Sequence, residues 1–183
     1  MNDHVPAHRT PDPAPLARHR RRRPVRVRTR PAPDGRTSVE ESTDVIRTVF
    51  NRPEVYALQS REDGRAIGYV GILIGADSNF EIGEREGEIA YWIGVPYWRR
   101  GLVPEAVREV MRHAFLDLRL DALWCGYFAD NLQSLNAQSK CGFQHHHTEV
   151  NKFNSFLGDY HTEHISCITR DQWQAQQASV LRA

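Results

Sequence analysis

Apolar positions along this chain change their period several times, and each change marks an element. Val107, Val110, Met111, Ala114, Phe115 and Leu118 recur three or four residues apart, which predicts an amphipathic helix with one face against a sheet. The stretch before it, Ile93-Gly-Val-Pro-Tyr-Trp-Arg-Arg-Gly101-Leu-Val-Pro-Glu-Ala106, predicts a strand over 87–95 running into a tight basic turn that opens this helix. Upstream, Ser38-Val-Glu-Glu41 is a capping box for a helix carrying Val45, Ile46, Val49 and Phe50 on one face. Segments 55–60 and 66–74 predict a hairpin about a Glu-Asp-Gly-Arg turn, and 75–86 is polar and predicts a loop. Downstream come a strand over 122–128 and a helix over 132–141 stopped by Gly142 in the left-handed conformation. Strands follow over 143–150 and 160–168, and Thr169-Arg-Asp-Gln172 caps a last helix carrying Trp173. Nothing repeats internally. The order predicts a mixed α/β fold, a central sheet with helices on both faces.

Charge alters this picture at the N-terminus. The net charge of +1 over 183 residues is a split. Residues 1–36 hold ten arginines against Asp3, Asp12 and Asp34, a net +7, and the remaining 14 basic and 20 acidic side chains leave −6 on 37–183. The first 36 residues are also proline-rich, poor in large apolar side chains and contain the run Arg20 to Arg23, which predicts a disordered arm. Such an arm either contacts RNA or the ribosome through phosphates or is a solvated tail. No apolar h-region follows the arginines, and no run approaches the length of a membrane span. Cys125, Cys141 and Cys167 are odd in number, lie in apolar segments and form no C-x-x-C pair, so a reducing, cytoplasmic setting is expected, with Cys125 as buried filler.

The turn before the central helix carries the candidate chemistry. The first amides of a helix have no carbonyl partner, and the helix dipole adds positive character there, which suits a phosphate. Gly101 lets the backbone approach an anion, and Pro104 fits the first helical turn. His145-His-His147 invites a metal reading, since alternate strand residues share a face and His161 and His164 lie nearby in sequence. No Asp, Glu or Cys spacing completes a ligand set, so these are read as polar strand or acceptor-pocket residues and no metal is expected. Tyr91, Trp92, Tyr97 and Trp98 are read as packing around the sheet.

From about residue 38 to 173 the chain resembles the GNAT acetyltransferases, and among them the RimJ/RimL-like ribosomal-protein N-acetyltransferases. The resemblance rests on Gly87-Glu-Ile-Ala-Tyr-Trp-Ile-Gly94, on Tyr97-Trp-Arg-Arg-Gly101 with Glu105-Ala106, and on Asn131-Leu-Gln-Ser134 leading to Lys140-Cys-Gly-Phe143, in that order. It implies the GNAT fold over 37–183, with acetyl-CoA as co-substrate and an amine as acceptor. It also implies that the strand ending at Ile93 and Val95 splays from the strand ending near Tyr127 and Phe128, with pantetheine lying in the gap. The pyrophosphate would then rest on the amides of Arg100, Gly101, Leu102 and Val103, helped by the Arg99 and Arg100 side chains. Val103 replaces the small residue usual there and is expected to narrow the turn.

The implied reaction is direct transfer from acetyl-CoA to a primary amine, a protein α-amino group or a small molecule. A backbone N–H between Ile93 and Val95 would hold the oxyanion. By the same resemblance Asn131 would bind the pantetheine amide and Ser134 would protonate the departing thiolate; helix capping is the other reading of both. Glu88 is the first candidate for the base, acting through water, and a structural pairing on the sheet is its alternative. The family's usual first strand and helix have no clear counterpart here, because only segment 24–30 could supply the strand. A catalytically degraded or regulatory acyl-CoA-binding module with an RNA-contacting arm therefore stands as the second functional reading.

Overall fold

The computed structural model describes residues 52–154 and 159–180. The arm, the segment 24–30 and the helix opened by Ser38 lie outside the described residues. Six strands form one sheet in the order β1-β2-β3-β4-β6-β5. β1 (Val55–Gln59) and β2 (Ala66–Ile74) make the expected hairpin, whose turn places Gly64 at φ 68. β3 is Glu86–Ile93 and runs antiparallel to β2 along its length, from Gly87 against Ile74 to Ile93 against Gly68. The helix α1 (Leu102–Leu116) crosses over to β4 (Ala122–Phe128), which lies parallel to β3. After α2 (Leu132–Cys141), β5 (Gln144–Asn154) and β6 (Asp159–Thr169) form a long hairpin, and β6 closes on β4 antiparallel. α3 (Arg170–Val180) follows at once.

One core joins these layers. Strand alternation turns Val70, Ile72, Ile89, Leu123, Cys125 and Ile168 to the same face, and α1 covers them with Val107, Met111, Ala114 and Phe115. Each fully buried aliphatic or aromatic side chain contributes about 1.5–3 kcal/mol, so this contact holds α1 and the turn before it rigidly. α2 contributes Cys141 and α3 contributes Trp173 to the same core, the latter packed on Phe115 with ring centroids 5.2 Å apart. Local signals explain the helix ends. Gly142 ends α2 at φ 88, its N–H bonding back into the last turn. Thr169 and Gln172 exchange the two bonds of a capping box at the start of α3, 2.9 and 3.3 Å long.

Three expectations need correction. The strand predicted over 143–150 begins at Gln144 and runs on to Asn154. The strand over 87–95 stops at Ile93, because Pro96 lacks a strand donor and Val95–Tyr97 winds into a 3₁₀ turn instead. The predicted loop over 75–86 likewise opens with a short 3₁₀ turn, Gly75–Asp77.

Candidate active site

The sheet opens between its two central strands. β3 and β4 pair only over Glu86, Gly87 and Glu88 against Ala122, Leu123 and Trp124, after which each strand keeps its outer neighbour alone. The cleft so formed has a volume of about 220 Å³ and is lined by Glu88, Tyr91, Gly126, Phe128, Asn131 and Ser134 among others. Its polarity follows from the ladder. Gly94 donates to Ile67 of β2 at 2.9 Å, so alternation turns the backbone groups of Ile89, Tyr91 and Ile93 the other way, into the gap. Three carbonyls along the opening are already satisfied by side chains. The Cys125 thiol donates to Ile89 O at 3.2 Å, the Trp98 indole to Ile93 O at 2.9 Å, and the Gln138 amide to Gly126 O at 3.1 Å. The N–H groups of Tyr91 and Ile93 face the gap, as a strand-like ligand with carbonyl acceptors requires.

Of the stretch expected to supply an oxyanion donor, Gly94 is therefore committed to β2, and Val95 lies exposed past the strand end. Ile93 keeps its N–H toward the gap. Cys125 sits fully inside the core, where burial, and next the charge of Glu88, push its thiol far up and leave it inert, as its reading as filler requires.

At the mouth, Arg99 and Gly101 both take positive φ, 61 and 77, so the chain turns sharply before Leu102 and Val103 begin α1. Gly101 is the N-cap, offers no side-chain cap, and has nothing within 4 Å of where a Cβ would stand. The space beside Gly101 is open, and the unpaired first amides of a helix make such a start a cradle that an anion fits. Arg99 and Arg100 are exposed beside it, the Arg100 guanidinium 6.0 Å from the centre of the Tyr97 ring. The Val103 side chain is half-buried against the core.

The Asn-x-x-Ser motif divides its two roles. Asn131 is the N-cap of α2, its Oδ1 accepting the Ser134 N–H at 3.1 Å, so capping is what its carbonyl does. The Ser134 hydroxyl caps nothing. It is buried, lies 2.6 Å from the Tyr91 hydroxyl and accepts from Gln138 Nε2 at 3.3 Å. Burial drives the Tyr91 phenol well above its ordinary range, so it stays protonated as a hydrogen-bonding neutral group. Sequence reasoning missed both partners. Gln138, one helical turn after Ser134, was open to discovery from spacing; Tyr91, 43 residues away, was not.

Glu88 is buried on the opposite face of β3 from Ile89. Its carboxylate accepts from Ser78 Oγ at 2.9 Å, from the Asn79 backbone at 2.6 Å and from the Asn79 amide at 3.1 Å. Among the described residues no arginine pairs with it, and the β2–β3 loop holds it at the cleft wall. The histidines do not assemble as an alternating set. A bulge between His145 and His147 places His145 opposite Ser166 and His147 opposite Ile165, on different faces of the sheet. His145 instead meets the His164 ring at 5.8 Å, and no cluster of three metal-ligating side chains occurs among the described residues.

A parallel strand pair that opens around an amide-lined gap and is followed by a helix N-terminus suits an extended ligand that pairs as a strand and carries an anionic group. The family model for the acetyltransferase (GNAT) domain matches residues 6–144, and the chain belongs to that family. The match begins within the segment read as an arm. Solved structures share the fold. A GNAT-family acetyltransferase from Bacillus anthracis is 15% identical, with 76% of this chain and 79% of that chain covered at a TM-score of 0.63. A putative ribosomal-protein-serine acetyltransferase from Vibrio cholerae is 22% identical, with coverages of 72% and 75% and a TM-score of 0.58. A variant of spermidine N-acetyltransferase from the same organism is 16% identical, with coverages of 75% and 78% and a TM-score of 0.58. No curated protein matches the chain. Among the described residues no helix is long and apolar enough to cross a membrane.

Proposed function

We propose that this acetyltransferase moves an acetyl group from acetyl-CoA to a primary amine held at the β3–β4 cleft. The observation that carries the reading is the interrupted ladder, whose Ile89 and Ile93 carbonyls are capped by side chains while the Tyr91 and Ile93 amides face inward. In this reading the amides of Arg100, Gly101, Leu102 and Val103 receive the pyrophosphate, and Arg99 and Arg100 add charge at the rim. Pantetheine takes the place of the missing ladder partner, with the Nδ2 of Asn131 directed to one of its carbonyls. The amine nitrogen forms a bond to the acetyl carbon and the carbon–sulfur bond breaks. Ile93 N–H steadies the oxyanion, Ser134 Oγ–H protonates the leaving sulfur, and Glu88 accepts the amine's proton through water.

The acceptor is an amine of a protein N-terminus or of a small molecule. The names of the structural neighbours include one of each kind, a ribosomal-protein acetyltransferase and a spermidine acetyltransferase. Thiol release from acetyl-CoA across a panel of amines and N-terminal peptides tests the proposal. Turnover with at least one acceptor is expected. CoA binding without thiol release from any of them would replace the enzyme with a binding module.

A further inference from the structure

On the face of the sheet opposite α1, beside the cleft, the β5–β6 hairpin sets Glu149 directly across from Glu163. Two carboxylates in direct cross-strand register repel, so this pair calls for a cation. Lys152 supplies one. Its Nζ lies 2.5 Å from Glu149 Oε2, 3.4 Å from Glu163 Oε2 and 5.3 Å from the centre of the Phe80 ring. The strand bends to bring it there, with a register shift between Glu149 and Lys152 and Asn151 at φ 58. Burial works against the Lys152 ammonium, but the hydrogen bond to Glu149 and the charge of Glu163 outweigh it and raise its pKa. The hydrogen bond from Lys152 in turn lowers that of Glu149.

This seat adjoins the cleft through Glu163. Glu163 lines the same cleft as Glu88, on the same face of the sheet. β4 makes room for it at Gly126, where a Cβ would run into Glu163 Oε1 and come within 2.9 Å of Phe80 Cζ. The resident cation is partly open to solvent. The side chains of Lys152 and Glu149 are 36% and 37% exposed, and ion pairs of that kind exchange partners at little cost. Two carboxylates and an aromatic face recognise an alkylammonium whichever molecule carries it.

We propose that Glu149, Glu163 and the Phe80 ring seat a second cationic group of the acceptor, and that Lys152 fills the seat until the acceptor displaces it. The acceptor class is then an amine carrying a further positive charge beside the one that reacts. This deepens the amine-acetyltransferase reading and rests on it.

Putrescine, a diamine, and butylamine, a monoamine of the same length, are the probes. Calorimetry in the presence of CoA measures their binding to the full-length chain, to Lys152→Met and to Glu163→Gln, with melting temperatures confirming that each is folded. Removing the internal competitor should tighten putrescine binding about two- to fivefold, the range of a surface ion pair. Glu163→Gln, which also relieves the carboxylate repulsion, should weaken it by about tenfold or more while butylamine changes little. Equal putrescine affinity in all three proteins, or equal losses for the diamine and the monoamine, would overturn the seat. Putrescine binding with the predicted pattern but no thiol release from acetyl-CoA would leave the seat standing and remove the transferase.

Discussion

Replacing Ser134 with alanine separates a proton donor from a structural hydroxyl, and the surroundings set the size of each effect. The Oγ pairs with the Tyr91 hydroxyl at 2.6 Å and accepts from Gln138 Nε2 at 3.3 Å. Neither neighbour is orphaned by its loss, since Tyr91 OH retains the Ser134 carbonyl at 3.3 Å and Gln138 retains Gly126 O at 3.1 Å. The helix keeps its cap too, because that bond comes from Asn131 Oδ1 to the Ser134 backbone. The stability cost is therefore that of one hydrogen bond, about 1 kcal/mol. A domain of about 5 kcal/mol stability so weakened still has only roughly one molecule in a thousand unfolded. Unfolding cannot account for any appreciable fall in rate. Loss of a general acid, by contrast, should lower kcat by about ten- to a thousand-fold with KM for both substrates nearly unchanged, because thiolate charge develops only in the transition state. Steady-state thiol release and urea unfolding on one preparation measure both numbers. A normal kcat per folded molecule would refute the catalytic role and leave Ser134 as packing for Tyr91 and Gln138.

Three further outcomes follow from other parts of the molecule. Gly101→Val forces a β-branched residue to φ 77, a strain of about 1–2 kcal/mol, and places a side chain where the anion should approach. CoA affinity measured by calorimetry should fall by about tenfold or more, and an unchanged value in a folded protein would dismiss the turn as the pyrophosphate site. The pKa of His113, in the last turn of α1, is raised by its hydrogen bond to Asp117 at 2.8 Å, against some burial, with help from Glu54 at 3.1 Å. Its contribution is complete below the unfolded value of about 6.5 and is lost as pH rises through the higher folded value, so urea midpoints should decline across that window in the parent and stay flatter in His113→Gln. Deleting residues 1–36, if they are an arm, should leave melting temperature and CoA affinity in place. A drop of several degrees, the scale of about 1 kcal/mol, would assign them to the fold, as a family match starting at residue 6 suggests.

Much of the architecture is written in short-range pattern. The strand Ala122–Phe128 and the helix Leu132–Cys141 fall at their predicted bounds because alternation, a capping asparagine and Gly142 act within a few residues of one another. The turn at Gly101 was legible for the same reason: a glycine, a proline and a periodic helix suffice to expose helix-start amides. The order of motifs pointed to the family from the sequence alone.

What no local pattern carried was register and encounter. The bulges that send His145 and His147 to opposite faces and bring Lys152 back to Glu149 arise from how β5 fits β6 across the whole hairpin. The Tyr91–Ser134 bond and the grip of Ser78 and Asn79 on Glu88 join segments whose contact exists only once the core is packed. The opening itself is the clearest case. β3 and β4 each read as an ordinary strand, and their separation after three pairs depends on outer partners that hold each strand and on side chains from α2 and the 3₁₀ turn that satisfy the freed carbonyls. Sequence by itself thus determined the elements and the family, since those rest on interactions over a few residues; tertiary structure decided which groups face the cleft, since that depends on hydrogen bonds between elements far apart along the chain.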